Sequence, residues 1–455
     1  MIIRTINPAT ESVLNEYIEL AESEIDQLIE KSCLAFESWK KTSFAHRGQL
    51  FLRLVEILIQ KADELCLIIS NEMGKPVKQS KAEIEKCAWV CRHYAAHGEL
   101  YLQERIIDTD MTKTLVSYQP LGIIFGIMPW NFPFWQVFRF AVPSIMAGNA
   151  VLLRHAPISL GAGNAMAELF VDAGFPPHLF QHAIMNNDMA ATVIAHNQIA
   201  ALSFTGSAKV GRLVASLAAQ NLKKSVLELG GNDPYLVLDD ADIDLAAQCI
   251  TVSRLNNCGQ VCIAAKRIIV VESVYDALVA KICLLMTEYQ MGDPLNAETK
   301  LGPMARRDLR ETLHQQVIIS IQKGAELITG GAIPVGQGYY YPPTLLVNVQ
   351  KGMPAFDEEL FGPVISVIKC KNEEDAINLA NQSDFGLSAA IFTSNVVRGE
   401  EIATHLLNVG TCFINALVAS DPRVPFGGIK NSGFGRELSM EGIHEFVNTK
   451  TIAIK

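Results

Sequence analysis

The chain has 455 residues, of which 49% are apolar and 19% charged, with a formal net charge of −10. That length exceeds one ordinary core and implies two large domains, while the acidic balance excludes nucleic acid and anionic membranes as partners, since both demand clustered Lys and Arg. Ten cysteines follow no disulfide rhythm, and the i,i+4 pairs Cys87/Cys91 and Cys258/Cys262 lack the second ligand pair that zinc needs, so all read as free thiols and no metal is expected.

Residues 1–8 contain no apolar signal region, and the apolar run 121–135 is cut by Pro129, Asn131 and Pro133, which points to a cytoplasmic protein. Segments 23–40, 45–70 and 78–100 have helical periodicity with charged outer faces and predict a helical entry layer. Residues 114–120 are β-prone and read as an edge strand. From Gly122 apolar runs alternate with helical segments: 122–127, 150–154, 180–184, 200–204 and 225–229 read as strands. This alternation predicts a parallel sheet with helices on both faces. Within it, Met128-Pro129-Trp130-Asn131-Phe132-Pro133 is a loop, because each proline forces its predecessor out of the helical region. Arg139 follows as a lone cation among apolar residues, which requires an anionic partner or an exit to solvent. After Phe204 the run Thr205-Gly206-Ser207-Ala208-Lys209-Val210-Gly211 places a glycine turn and a helix N-terminus at a strand end. Such a turn suits a pyrophosphate, although it lacks the GxGxxG fingerprint and is equally an ordinary βα turn.

A second α/β region begins after Gly231, with strands expected at 235–238, 267–271, 364–369, 388–393 and 410–414. Two stretches carry chemistry. Val226-Leu227-Glu228-Leu229-Gly230-Gly231 ends an apolar strand on a carboxylate followed by glycines, where backbone approaches closely and Glu228 can face a cleft as a base. Leu255-Asn256-Asn257-Cys258-Gly259-Gln260-Val261-Cys262 places Cys262 on a backbone bend, where free N–H groups lower a thiol pKa and hold an oxyanion. Taken alone, such a Cys is as well read as a small core hydrophobe.

Taken together, these two stretches closely resemble the signatures of the aldehyde dehydrogenase superfamily. The likeness extends from Asn7-Pro8-Ala9-Thr10 to Pro425-Phe426-Gly427-Gly428 and Gly433-Phe434-Gly435-Arg436-Glu437. It implies two doubly wound parallel-sheet domains, residues 1–101 with 121–230 for the dinucleotide and 231–437 for catalysis. A small β oligomerisation element, 102–120 and 438–455, would build a homodimer or homotetramer. It also implies Cys262 as nucleophile, Glu228 as the base that activates water, and Asn131 as a side-chain donor to the oxyanion. NAD or NADP would lie against Ile127, Trp130, Arg154, Gly206, Ser207, Val210, Leu229, Glu359 and Phe361. At the adenosine end the chain departs from the pattern: Pro157 stands where NAD-selective members carry Glu, so nothing acidic there repels a 2′-phosphate, and Arg154 can attract one.

For the substrate, the likeness is to a short bacterial subgroup of succinate-semialdehyde dehydrogenases. These carry an Arg matching Arg139 for the distal carboxylate. A second Arg of that group is Asn256 here, and Ser420 or Arg423 is the expected compensation. The expected reaction is therefore NAD(P)-dependent oxidation of succinic semialdehyde. The competing readings are a dehydrogenase for another small aldehyde, with Arg139 paired inside the protein, and a binding protein that kept the fold without activity. A CoA-acylating enzyme fits less well, because Glu228 suits attack by water.

Overall fold

The computed structural model describes all 455 residues. Helices Glu22–Trp39, Phe44–Gln60, Ala62–Met73 and Val77–Tyr101 form the entry layer. In the first, Ile25, Ile29, Ser32, Ala35 and Trp39 are buried at three- and four-residue spacing, the stripe that a helix turns toward a core. The expected single helix over 45–70 is two, because the backbone leaves helical geometry at Lys61, whose ammonium reaches Asp172 at 2.7 Å.

The first sheet runs, in spatial order, Gly433–Phe434, Lys224–Glu228, Ile199–Thr205, Ile123–Met128, Ala150–His155 and Phe180–His182. All neighbours are parallel except the first pair. The second sheet runs Glu326–Thr329, Thr344–Val347, Val364–Cys370, Arg267–Val271, Pro234–Val237, Ser388–Phe392 and Thr411–Ile414. It too is parallel apart from one edge strand. Central strands such as Ile123–Met128 and Arg267–Val271 are buried at every position, which is why, apart from Arg267 with its carbonyl partners, their sequences are continuous apolar runs rather than alternating ones.

Each sheet anchors its own core, of 68 and 47 buried residues, so the chain builds two hydrophobic units. The expected boundary at 437 does not follow the strands. Gly433 and Phe434 pair with Glu228 and Leu227, so the chain has already returned to the first sheet by residue 433. A third, antiparallel sheet joins Arg105–Ile107, Lys113–Pro120 and Val447–Ile454, which gives the β-prone segment near 114–120 its partners on both sides.

Candidate active site

Strand ends at the carboxyl edge of the first sheet supply one wall of the site. Ile127 is paired in register with Arg154 on one side and Phe204 on the other, and Thr205 with Glu228, so these residues share one edge, where ligands of open parallel sheets bind. Beyond Thr205 the chain turns at Gly206, where a Cβ would stand 2.7 Å from the Phe204 ring. It then enters the helix Ala208–Gln220, capped by Ser207, whose hydroxyl accepts from the Val210 N–H at 3.4 Å.

The opposite wall carries the thiol. Helix Ile243–Leu255 ends at Asn256, and Asn257, Cys258 and Gly259 then take φ of 50°, 54° and 70°, three successive left-handed residues. At Gly259 only glycine fits, since a Cβ would meet the Gly362 carbonyl oxygen at 2.1 Å. Side chains hold this strained turn. Asn257 donates its backbone N–H to Gln79 Oε1 at 2.8 Å and its side-chain amide to the Asn131 carbonyl at 2.7 Å, and Gln260 Oε1 accepts from the Ala305 N–H at 2.9 Å. Cys258 is buried in the second core. Cys262 emerges half-buried, and its own N–H donates to nothing in the protein.

Two cavities meet at Cys262. One, of about 370 Å³, lies between the Val77–Tyr101 helix, the Trp135–Met146 helix and the 417–420 loop. The other, of about 400 Å³, is lined by Trp130, Asn131, Thr205, Gly206, Ser207, Leu229, Glu359 and Phe361 among others. Cys262 and Gln136 line both. Trp130 and Phe361 meet edge to face with centroids 6.0 Å apart. Of the residues expected around a dinucleotide, Ile127, Arg154 and Val210 lie outside this cavity. Ile127 is buried in the sheet, Val210 is exposed on the first helical turn after Ser207, and Arg154 bonds the Met185 carbonyl and Asn187 Oδ1.

In the first cavity Arg139 is buried, lies 4.5 Å from the Phe426 ring centroid and is ion-paired with Glu437. Its Nη2 has no partner. Ser420 and Asn256 line the same cavity. Arg423 does not: it is exposed, forks onto the Asp421 carboxylate and lies over Trp89, so its charge is already matched by its own Asp at the surface. Two cations escaped the sequence reading. Lys86 lines the first cavity, and Lys266 bonds the Cys262 carbonyl and pairs with Glu359 at 3.0 Å. Glu83, one turn before Lys86, accepts the N–H groups of Phe134 and Trp135 at 2.9 and 3.0 Å and so fixes the start of the helix that carries Arg139.

Electrostatics correct two expectations. Burial pushes the Cys262 thiol up to about 11, with Arg139 and Lys266 pulling against it, so the bend does not by itself yield a thiolate. Glu228 does not face the cleft. Its carboxyl is enclosed, Oε1 lacks a hydrogen-bond partner, and burial pushes its pKa well above the ordinary range. Asn131 is buried, lines the second cavity together with Cys262 and gives one amide hydrogen to the Gln260 carbonyl at 2.9 Å, leaving its second free.

A doubly wound two-sheet frame, with a thiol at the junction of a nucleotide-sized cleft and an apolar tunnel, defines the class: the chain belongs to the aldehyde dehydrogenase family, whose model matches residues 1–452. Its relatives narrow the likeness. The chain is 43% identical over 448 residues to the succinate semialdehyde dehydrogenase, NAD(P)+, of Escherichia coli, covering 98% of this chain and 97% of that one. It is 38% identical over 448 residues to the succinate-semialdehyde dehydrogenase, NADP(+), of Deinococcus radiodurans, covering 98% and 94%. Among solved structures, succinic semialdehyde dehydrogenase from Streptococcus pyogenes, crystallised with NADP+, superposes with a TM-score of 0.97 at 33% identity over 99% of each chain.

Proposed function

We propose that the protein oxidises succinic semialdehyde to succinate with NAD or NADP. The observation that carries this reading is the position of Cys262 between two cavities, one bearing a buried guanidinium and the other shaped for a dinucleotide. The second cavity fits the cofactor on its own chemistry. The Thr205 hydroxyl is buried without a partner, Gly206 leaves the backbone open to close approach, and the helix from Ala208 offers its N-terminal amides. Trp130, Gly206, Ser207, Leu229, Glu359 and Phe361 would hold it, and Ile127, Arg154 and Val210 would continue the groove toward the adenosine. With Pro157 in place of an acid, both cofactors are admitted.

In this mechanism Cys262 first gives its thiol proton to solvent, and the thiolate Sγ then attacks the aldehyde carbon, forming a C–S bond as the C=O π pair moves onto oxygen to give an oxyanion. The free Cys262 N–H and the second Asn131 amide hydrogen receive it, and losing one such donor typically costs roughly 2.7–4 kcal/mol. Arg139 and Lys266 are the cations that favour the thiolate. A nicotinamide bound in the second cavity would supply the hydride acceptor needed for the thiohemiacetal carbon to reach the thioester level. Glu228 then swings from its enclosed site, takes a proton from water as the water oxygen attacks the thioester carbon, and Cys262 leaves as thiolate with release of the acid. In its enclosed position burial disfavours the Glu228 carboxylate, so the swing into the cleft, where the carboxyl gives its proton to solvent, is what switches the base on.

A second reading has its own support: Arg139 already has Glu437 as a counter-charge, so a neutral small aldehyde would leave no charge unmatched. Following reduced-cofactor absorbance with succinic semialdehyde and with butyraldehyde separates the two. A kcat/KM for the semialdehyde no higher than for butyraldehyde refutes the first reading. We also propose assembly through the 105–120 and 447–454 sheet, where Ile106 is 75% and Ile454 50% exposed, and residence in a reducing, cytoplasmic compartment, consistent with ten unpaired cysteines.

A further inference from the structure

The first cavity holds one side chain that neither the mechanism nor the fold requires. Lys86 lies on the Val77–Tyr101 helix, where Lys78, Gln79, Ala82, Glu83 and Lys86 recur at three- and four-residue spacing along the face that lines the cavity. Its stem packs over the Trp135 ring, with the ammonium 4.5 Å from the centroid, and its single hydrogen bond goes to the Ser420 hydroxyl at 2.8 Å. No carboxylate contacts it. The nearest candidate, Asp421, is occupied by Arg423 at 2.6 Å, and Glu83 is occupied by Lys75 and by the start of the neighbouring helix. A half-buried ammonium without a counter-ion of its own is costly to keep charged, and an anion entering the cavity would offset that cost. Across the cavity stands Arg139, whose charge is paired with Glu437 but whose Nη2 is unpartnered.

We infer that Lys86 is a specificity-determining residue, which with Ser420 and Arg139 cradles the distal carboxylate of a short aldehyde acid. The inference rests on the semialdehyde reading above. It answers the question that Asn256 raises: the second positive charge comes from a helix far upstream in sequence rather than from the thiol loop or from Arg423. Burial first, and then repulsion from Arg139, lower the Lys86 pKa to about 8, with Asp421, Glu83 and Cys87 acting in the opposite sense. Binding a carboxylate therefore favours protonated Lys86, and semialdehyde recognition should weaken as pH rises through about 8.

The test is the ratio of kcat/KM for succinic semialdehyde to kcat/KM for butyraldehyde, measured from pH 6.5 to 9.5. The ratio cancels the titration of Cys262 and Glu228, which act on both aldehydes. In the parent it should exceed unity and fall above about pH 8. In Lys86→Met, which keeps the stem over Trp135, it should drop by about thirty-fold or more and lose its pH dependence, with the change in KM rather than kcat. Lys86→Arg should restore part of the ratio and move the fall to higher pH. Ser420→Ala, which leaves the lysine in place, should lower the ratio by less than Lys86→Met. A parent that prefers the semialdehyde while Lys86→Met keeps both ratio and pH profile overturns the role of Lys86 and spares the substrate reading. A parent without preference overturns both.

Discussion

Replacing Arg139 alone should harm the protein more than replacing Arg139 and Glu437 together. Both side chains are 2% exposed, and apart from each other Glu437 has only a 3.3 Å bond from the Ser203 hydroxyl. Removing one partner of a buried ion pair leaves the other charge enclosed, at a cost of about 3–5 kcal/mol, whereas removing both at similar volume is often close to neutral. Arg139→Met should therefore destabilise by that amount, and Arg139→Met with Glu437→Gln should recover most of it. With a urea slope on the order of 3 kcal/mol per molar, the single variant should shift the unfolding midpoint down by roughly 1 M or more. Tryptophan fluorescence in urea, on the parent, both single variants and the double variant, completes the cycle. Equal midpoints for Arg139→Met and the double variant would show that Glu437 is not the counter-charge. The same four proteins report on substrate choice. If the double variant is folded but has lost its preference for the semialdehyde over butyraldehyde, Arg139 serves scaffold and substrate at once. A retained preference would reduce it to scaffold.

Three further outcomes follow from the thiol and the carboxylate. Cys262→Ala should show no reduced cofactor at all, while Glu228→Gln should give one burst per active site and then slow turnover in stopped-flow absorbance; the absence of a burst would move Glu228 to a step before hydride loss. Because burial pushes the Cys262 thiol up to about 11, its thiolate fraction grows about tenfold per pH unit below that value, so iodoacetamide inactivation of the free enzyme should accelerate from pH 7 to 10 without levelling, and run slower at each pH in Arg139→Met, which lacks the largest charge drawing that pKa down. A plateau near pH 8 would refute the burial argument.

How legible each part was in the sequence depended on how local its cause is. Strands such as Ala150–His155 and Arg267–Val271 were readable because a parallel strand covered on both faces carries a continuous apolar run, here Ala150 to Leu153 and Ile268 to Val271. The loop Asn257 to Gly259 was readable as a bend from its composition. Lys86 was not, since on a helix with charged outer faces a lysine is normally a solvated one, and only the packing of Trp135 and the 417–420 loop turns it inward. Glu437 as partner of Arg139 depended on a return of the chain to the first sheet at Gly433, which no local pattern announces. The enclosure of Glu228 and the raised thiol pKa have the same origin: both are desolvation by burial, which depends on how the whole chain packs around them.

The junction at Cys262 also bears on traffic. A sulfur that lines both chambers can be approached by aldehyde from one side and by dinucleotide from the other. The two chambers share only Cys262 and Gln136 in their linings, so a compulsory order in steady-state kinetics would point to a movement of the protein rather than to one ligand covering the other's walls. The same geometry means that a molecule threading both chambers would be pinned at the sulfur and would compete with aldehyde and dinucleotide simultaneously.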